Sequence, residues 1–252
     1  MGDIARCSLT NEDQLYKLFG INAELLIDHA WGWEPCTIEA IKAYKPESSS
    51  ISSGQVLQSP YPFDMAKLVV REMTEQLVLE LVDKHMVTDQ MALSVGYDRE
   101  NLLDPSRRAK YQGPVETDRY GRQIPKSAHG SINLKRQTSS TRMITAAVME
   151  LYDRLVHPDL LIRRMYVVAN RIVNEEDVRE EAPEQLDMFT DYEAERRQKE
   201  AEAAALEKER RGQLAVLEIK KKFGKNAILK GMNLQEGATG KERNETIGGH
   251  KA

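Results

Sequence analysis

Cysteine is scarce in this chain, and long hydrophobic runs are missing. Of its 252 residues only Cys7 and Cys36 are cysteines. Two thiols fit neither a disulfide framework nor a zinc site. No apolar run approaches the roughly 20 residues of a membrane span. The N-terminal MGDIARCSLT lacks the apolar core of a signal peptide. Histidines at positions 29, 85, 129, 157 and 250 keep no metal-ligand spacing. No Ser-His-Asp or Cys-His arrangement is legible, as is usual for such triads in bare sequence. These absences point to a reduced, cytoplasmic protein that carries no cofactor of its own.

What the chain does have is charge, unevenly placed. Charged residues make up 30% and hydrophobic residues 40%, with a formal net charge of −4. The length suits one large domain or two small ones. Residues 99–136 hold nine Lys/Arg and four Asp/Glu, a balance of +5. Residues 174–210 hold six Lys/Arg and fourteen Asp/Glu, a balance of −8. A basic body with an acidic tail keeps nucleic acid open as a partner despite the overall sign.

Periodicity divides the chain. Asn11 is placed to cap a helix carrying Leu15, Leu18 and Phe19, and Gly20-Ile21-Asn22 breaks it. A second helix with Leu25, Leu26 and Ala30 ends near Trp31-Gly32-Trp33. Gly20 and Asn22 both tolerate positive φ, so the turn resembles a helix-hairpin-helix that presents N–H groups to a phosphate. Residues 35–48 read as a linker. SSSISSGQVL from Ser49 is strand-like. From Phe63 to Val87, Ala66, Val69, Val70, Met73, Leu77 and Leu81 form one helical stripe. Met91, Leu93, Val95 and Tyr97 alternate as in a half-buried strand. The polar stretch 99–130 is too long for a plain hairpin loop. Within it, Tyr111 and Tyr120 among basic residues suggest base stacking, as a thin signal. SINLKR is the returning strand. Ser139 or Ser140 caps a helix with Ile144, Ala147, Val148, Leu151 and Leu155, and Ile162 to Val173 is the last strand.

The order β-α-β-β-α-β predicts an α+β domain, a four-stranded sheet with two helices on one face and the other face bare. Residues 191–222 favour a solvated single helix, and residues 224–252 carry no packing pattern and read as loosely ordered. Ahead of that helix lies Gln185-Leu186-Asp187-Met188-Phe189, inside the acidic stretch EEAPEQLDMFTDYE. Apolar anchors in a polar segment have nothing local to pack on and suit a partner's pocket. The pentapeptide resembles the one by which bacterial replication and repair proteins dock on the sliding clamp. In that likeness Gln185 bonds the pocket rim while Leu186, Met188 and Phe189 fill it.

Taken together, LYKLFGINAELLIDHAWGWEP, SSSISSGQVL, the VGYD turn, PKSAHGSINL and EQLDMF resemble the C-terminal half of Y-family translesion DNA polymerases, in the bacterial UmuC-like branch. The resemblance implies that residues 1–34 are a thumb remnant, 35–48 a linker, 49–175 a little-finger domain that binds DNA, and 176–252 a tail with the clamp peptide. It implies DNA contacts at Gly20, Asn22, Ser50, Ser52, Lys135, Arg136, Arg164, Arg107 and Arg108. Alternation lets only one of each adjacent basic pair reach the open face, and puts Arg164 and Tyr166 outward. Family members catalyse with palm carboxylates holding two metal ions. No such palm is legible here, so Mg²⁺ is expected only for an intact polymerase. The resemblance thus implies a clamp-tethered, DNA-gripping fragment of a damage-bypass (SOS-type) repair polymerase, inactive alone. The alternative is one half of a split polymerase whose palm and fingers lie on a separate polypeptide.

Overall fold

The computed structural model describes residues 1–44, 49–178, 192–247 and 250–251. The chain divides into two compact units, Met1–Glu47 and Ser48–Ala252. In the first, α1 (Gly2–Thr10), α2 (Glu12–Phe19), α3 (Asn22–Ala30) and α4 (Ile38–Ala43) follow one another. Leu15 and Ala23 are its buried side chains, and Trp31 Nε1 donates to Ser8 Oγ at 3.1 Å. Asn11 sits at the N-cap of α2 without a side-chain cap bond; its amide instead donates to Gln14 at 3.0 Å. The stretch read as a linker holds α4, started by Thr37, whose hydroxyl accepts from the Ala40 N–H.

The second unit is built on β1 (Ile51–Tyr61), α5 (Phe63–Asp83) and β2 (Met86–Tyr97). An excursion follows: α6 (Glu100–Leu103), α7 (Pro105–Lys110) and the hairpin strands β3 (Val115–Thr117) and β4 (Gln123–Pro125). The main path resumes with β5 (Ala128–Thr138), α8 (Thr141–Leu155) and β6 (Ile162–Asn170). The short β7 (Val173–Asn174) pairs with the start of β2. The four long strands lie in the order β1-β6-β2-β5, every neighbouring pair antiparallel. This is the α+β architecture that the alternation of elements predicts.

One face of the sheet is dry. Met91, Leu93 and Val95 of β2 and Met165, Val167 and Ala169 of β6 point into it, none more than 1% exposed. The α5 stripe Ala66, Val69, Val70, Met73, Leu77 and Leu81 covers them, joined by Ile144, Val148 and Leu151 of α8. Burying such side chains is the main favourable term, about 1.5–3 kcal/mol each. Ser140 caps α8 by accepting the Met143 N–H. Tyr152 is wholly buried, and its hydroxyl donates to the Phe63 carbonyl at 2.8 Å, tying the end of α8 to the start of α5. Burial pushes the Tyr152 phenol far above its ordinary range.

Two expectations for the C-terminal third do not hold. Helix α9 (Tyr192–Phe223) is not a solvated rod; it lies against the helical layer. Arg136 meets Glu202 at 2.8 Å, and Gln213, 7% exposed, donates to the Ser139 carbonyl and to Thr141. Glu209 accepts from Ser140 Oγ and the Arg142 N–H, so it reinforces the cap of α8. Lys221 pairs with Asp83 and Arg210 with Glu175. The stretch read as loosely ordered includes a 3₁₀ turn (Gly231–Leu234), α10 (Gly240–Arg243), β8 (Thr246–Ile247) and β9 (His250–Lys251). It is fastened by a carboxylate that the α5 stripe does not advertise. Glu72, 4% exposed, accepts from Asn233 Nδ2 at 2.6 Å, Thr239 N–H at 2.8 Å and Gly240 N–H at 3.0 Å. Sequence patterning misses this because the anchor is polar and its partners lie more than 160 residues away.

Glu72→Ala removes the acceptor and leaves two buried backbone donors unpaired. We expect a loss of about 2–3 kcal/mol. Amide exchange should quicken across residues 231–243 while the strands keep their protection. Unchanged protection of Thr239 and Gly240 would contradict the anchoring role.

Candidate nucleic-acid interface

Among the described residues of the second unit, no helix covers the face of the sheet away from α5 and α8. Its side chains come from alternate residues: Ser52, Gly54, Val56 and Gln58 of β1, Arg164, Tyr166, Val168 and Asn170 of β6, Gln90, Ala92, Ser94 and Gly96 of β2, and His129, Ser131, Asn133 and Lys135 of β5. Not one is a carboxylate. Register sets them in rows across the strands. Gly54, Tyr166, Ser94 and His129 share a row, as do Ser52, Val168, Ala92 and Ser131.

Glycines shape this surface. A Cβ on Gly54 would come within 2.5 Å of the Tyr166 ring, and one on Gly96 within 2.5 Å of Arg164 Nε. Both large side chains therefore lie down over a bare backbone on the neighbouring strand instead of standing up. A glycine inside a strand commonly marks such a close approach. Small residues between them keep the surface low, so a polyanion can come near the backbone.

At one end of the face Asn170 donates to Gln90, Gln90 to Asn133, and Arg171 to Asn133 at 2.7 Å. Arg171 takes φ +50°, an uncommon backbone for a side-chain-bearing residue, and Asp89 holds its guanidinium at 2.8 Å. Lys135 lies near this end. Arg164 marks the other, six residues away along β6, about 20 Å at strand spacing. Neighbouring Arg163 turns aside to Asp98 at 3.7 Å and to the Gln58 carbonyl.

The sequence-predicted residues do not all gather here. Ser50 and Ser52 are exposed, Ser52 on the open face and Ser50 just before β1. Lys135 and Arg164 are on that face; Arg136 is turned to the helical layer, against Glu202. Arg107 and Arg108 lie on α7, where Arg107 meets Asp104 at 3.6 Å and Arg108 donates to the Tyr111 carbonyl. Gly20 and Asn22 belong to the first unit. Gly20 takes φ +60°, whereas Asn22 begins α3 and makes no use of its tolerance for positive φ. Helix α3 has no side-chain cap bond, and its Ala23 N–H is taken by the Gly20 carbonyl at 3.0 Å. Gln185, Leu186, Met188 and Phe189 lie outside the described residues. Tyr166, Gly54, Gly96, Arg171 and the Asn170–Gln90–Asn133 ladder complete the surface. Of these, Tyr166 is put outward by the alternation of the last strand, and for the rest the in-strand glycines were the available sequence signal.

A fixed hairpin stands at the Arg164 end, between β2 and β5. Its tip is Asp118-Arg119-Tyr120-Gly121-Arg122. Asp118 Oδ1 accepts from the Tyr120 and Arg122 N–H groups at 2.8 and 3.0 Å, and Oδ2 from Arg122 Nε at 2.8 Å. Those bonds, led by the Arg122 side chain, hold its carboxyl down at about 2. Among the described residues no cluster of three His, Cys, Asp or Glu could hold a metal ion. No described helix is long and apolar enough to cross a membrane.

Residues 48–188 match the model of the impB/mucB/samB family C-terminal domain. No curated protein matches the chain. Among solved structures it is similar to a Y-family DNA polymerase chimera of Dbh and Dpo4, at 14% identity and TM-score 0.40. It is also similar to a post-insertion binary complex of Dbh DNA polymerase, at 12% identity and TM-score 0.32. Each match covers 68% of this chain and 41% of the other, so this chain spans about two fifths of their length.

Proposed function

The chain belongs to the impB/mucB/samB family, carrying its C-terminal domain, the little finger of Y-family polymerases, and we propose that residues 49–175 grip a primer-template duplex through the open sheet face in lesion bypass. The carrying observation is a bare face whose strand side chains include no carboxylate, with Arg164 at one end and Lys135 at the other. A strip about 20 Å long spans about six base pairs at 3.4 Å per step. Ser50 and Ser52 add hydroxyl donors along the β1 edge, and Gly20 and Asn22 of α3 are a second phosphate candidate. Contacts of this kind go to phosphates and read no sequence, which suits an enzyme that must accept distorted bases.

Fluorescence anisotropy with a primer-template across a salt series tests this reading. Affinity should fall steeply with salt and hardly vary with sequence. Arg164→Ala and Lys135→Ala should each weaken all duplexes alike and lower the salt slope by about one. A strong preference for one duplex sequence, or wild-type slopes in both variants, would refute it.

Phosphate contacts alone are weak, so a tether is valuable. We assign it to Gln185-Leu186-Asp187-Met188-Phe189, with the sliding clamp as partner. Two modest contacts on one chain act at high effective concentration. Phe189→Ala should abolish clamp binding in a pull-down or titration and leave duplex binding untouched; equal clamp affinity would remove the assignment.

The split-polymerase reading is favoured by the first unit. Leu18, Ile21, Leu25, Trp31 and Trp33 are all more than half exposed within 16 residues of chain. Such a concentration of apolar surface suits a covering polypeptide. Primer extension with Mg²⁺ should then appear only when a separate palm-fingers polypeptide is added. Extension by this chain alone would overturn both readings.

A further inference from the structure

The hairpin of β3 and β4 is a detour that gripping a duplex does not require. It is nevertheless firmly built. Ile124 is buried, Lys126 N–H donates to the Pro114 carbonyl, and Ser127 bonds Glu116. The Asp118 cage and Gly121 at φ +76° close the tip. All this order serves to display one side chain. Tyr120 is 70% exposed, with the Arg119 guanidinium 5.3 Å and the Arg122 guanidinium 4.9 Å from its ring centre. Arg122 is oriented by Asp118, while among the described residues no carboxylate pairs with Arg119. Apart from the two guanidiniums over it, the ring is largely open to solvent and contributes nothing to the core.

Its position matters as much as its exposure. The excursion that carries the hairpin leaves the sheet after Tyr97 and returns at Ala128, beyond the Gly96–Arg164 pair. Arg122 is close enough to Asp98, the partner of Arg163, to feel its charge. A duplex laid along the open face would therefore end, or open, beside Tyr120.

A planar ring flanked by two cations is matched chemically by a planar base bearing phosphates. Base–aromatic stacking tolerates any base, and guanidiniums meet the phosphates on either side. We propose that Tyr120 is the stacking site for the first unpaired nucleobase beyond the duplex, with Arg119 and Arg122 holding its phosphates. This deepens the duplex reading of the open face and rests on it.

The test uses the full chain with two probes, a blunt duplex and the same duplex with a three-nucleotide 5′ overhang whose first base is 2-aminopurine. Wild type should bind the overhang probe about tenfold more tightly than the blunt one and quench the 2-aminopurine. Tyr120→Ala should lose both the gain and the quenching while keeping blunt-duplex affinity; Tyr120→Phe should retain both. Unchanged quenching in Tyr120→Ala, or an overhang that adds nothing while the blunt duplex binds, overturns the proposal and leaves the tip to a protein surface. Loss of blunt binding with quenching retained would instead defeat only the duplex reading. Absence of all binding defeats both.

Discussion

Two crossovers with the same hand constrain everything else in the larger unit. β1 and β2 are parallel with β6 between them; β5 and β6 are parallel with β2 between them. Each pair is joined by a helix, and such connections are right-handed almost without exception. The second crossover is the first turned by half a revolution about the sheet normal. Both helices must therefore land on the same face. That face receives most of the large apolar side chains of the strands, and the other keeps only a few, Val56 and Val168 among them. Because side chains alternate, the register that buries Met165, Val167 and Ala169 also exposes Arg164 and Tyr166. A slip of one residue would exchange the two sets, so the core itself enforces which residues meet a partner.

The bare face is prepared by subtraction. Gly54 and Gly96 have no Cβ, and that vacancy lets Tyr166 and Arg164 lie flat. Carboxylates on the strands and turns nearby are engaged by cations of their own: Asp89 by Arg171 and Asp98 by Arg163. What remains is a low, weakly cationic floor with stronger charge at its ends. Such a surface binds through counterion release, which is forgiving of base identity. Its amides Asn170, Gln90 and Asn133, which could otherwise read a base edge, are bonded to one another in a ladder.

How far the sequence discloses this depends on the kind of interaction. Elements held by apolar contacts were legible: the α5 stripe and the alternation in β2 and β6 place much of the core, though not Val78, Val82 or Tyr152, and Ser140 caps α8 as its chemistry predicts. Elements held by polar contacts were not. The inner seam of α9 runs Glu202, Leu206, Glu209, Gln213, Val216 and Lys220, spaced four and three like a heptad, yet most of it is polar. A search for apolar periodicity passes over it. The same is true of Glu72, a carboxylate within a helical stripe whose three donors come from the far end of the chain. The open face was legible in parity through Arg164 and Tyr166, but its flatness was not. That property belongs to pairs such as Gly54 with Tyr166, which only register brings together.

The docking of α9 also reconciles a negative protein with a polyanionic ligand. The carboxylates of α9 would repel DNA if they lay near the sheet face. Helix α9 instead packs outside α5 and α8, on the far side of the helical layer. Two of its carboxylates are occupied there, Glu202 by Arg136 and Glu209 by the cap of α8. Where α9 packs on α5 it lies a full helical layer behind the sheet, while Glu202 reaches back to pair with Arg136 of β5. The Debye length is about 10 Å at 0.1 M salt, about the thickness of that layer. The α9 charges behind α5 are therefore largely screened from the open face, while Arg164 and Lys135 are not. The net charge of −4 is thus a poor guide to the field at the face. If a duplex binds as proposed, this separation of charge turns the bare sheet toward it and the acidic helix away.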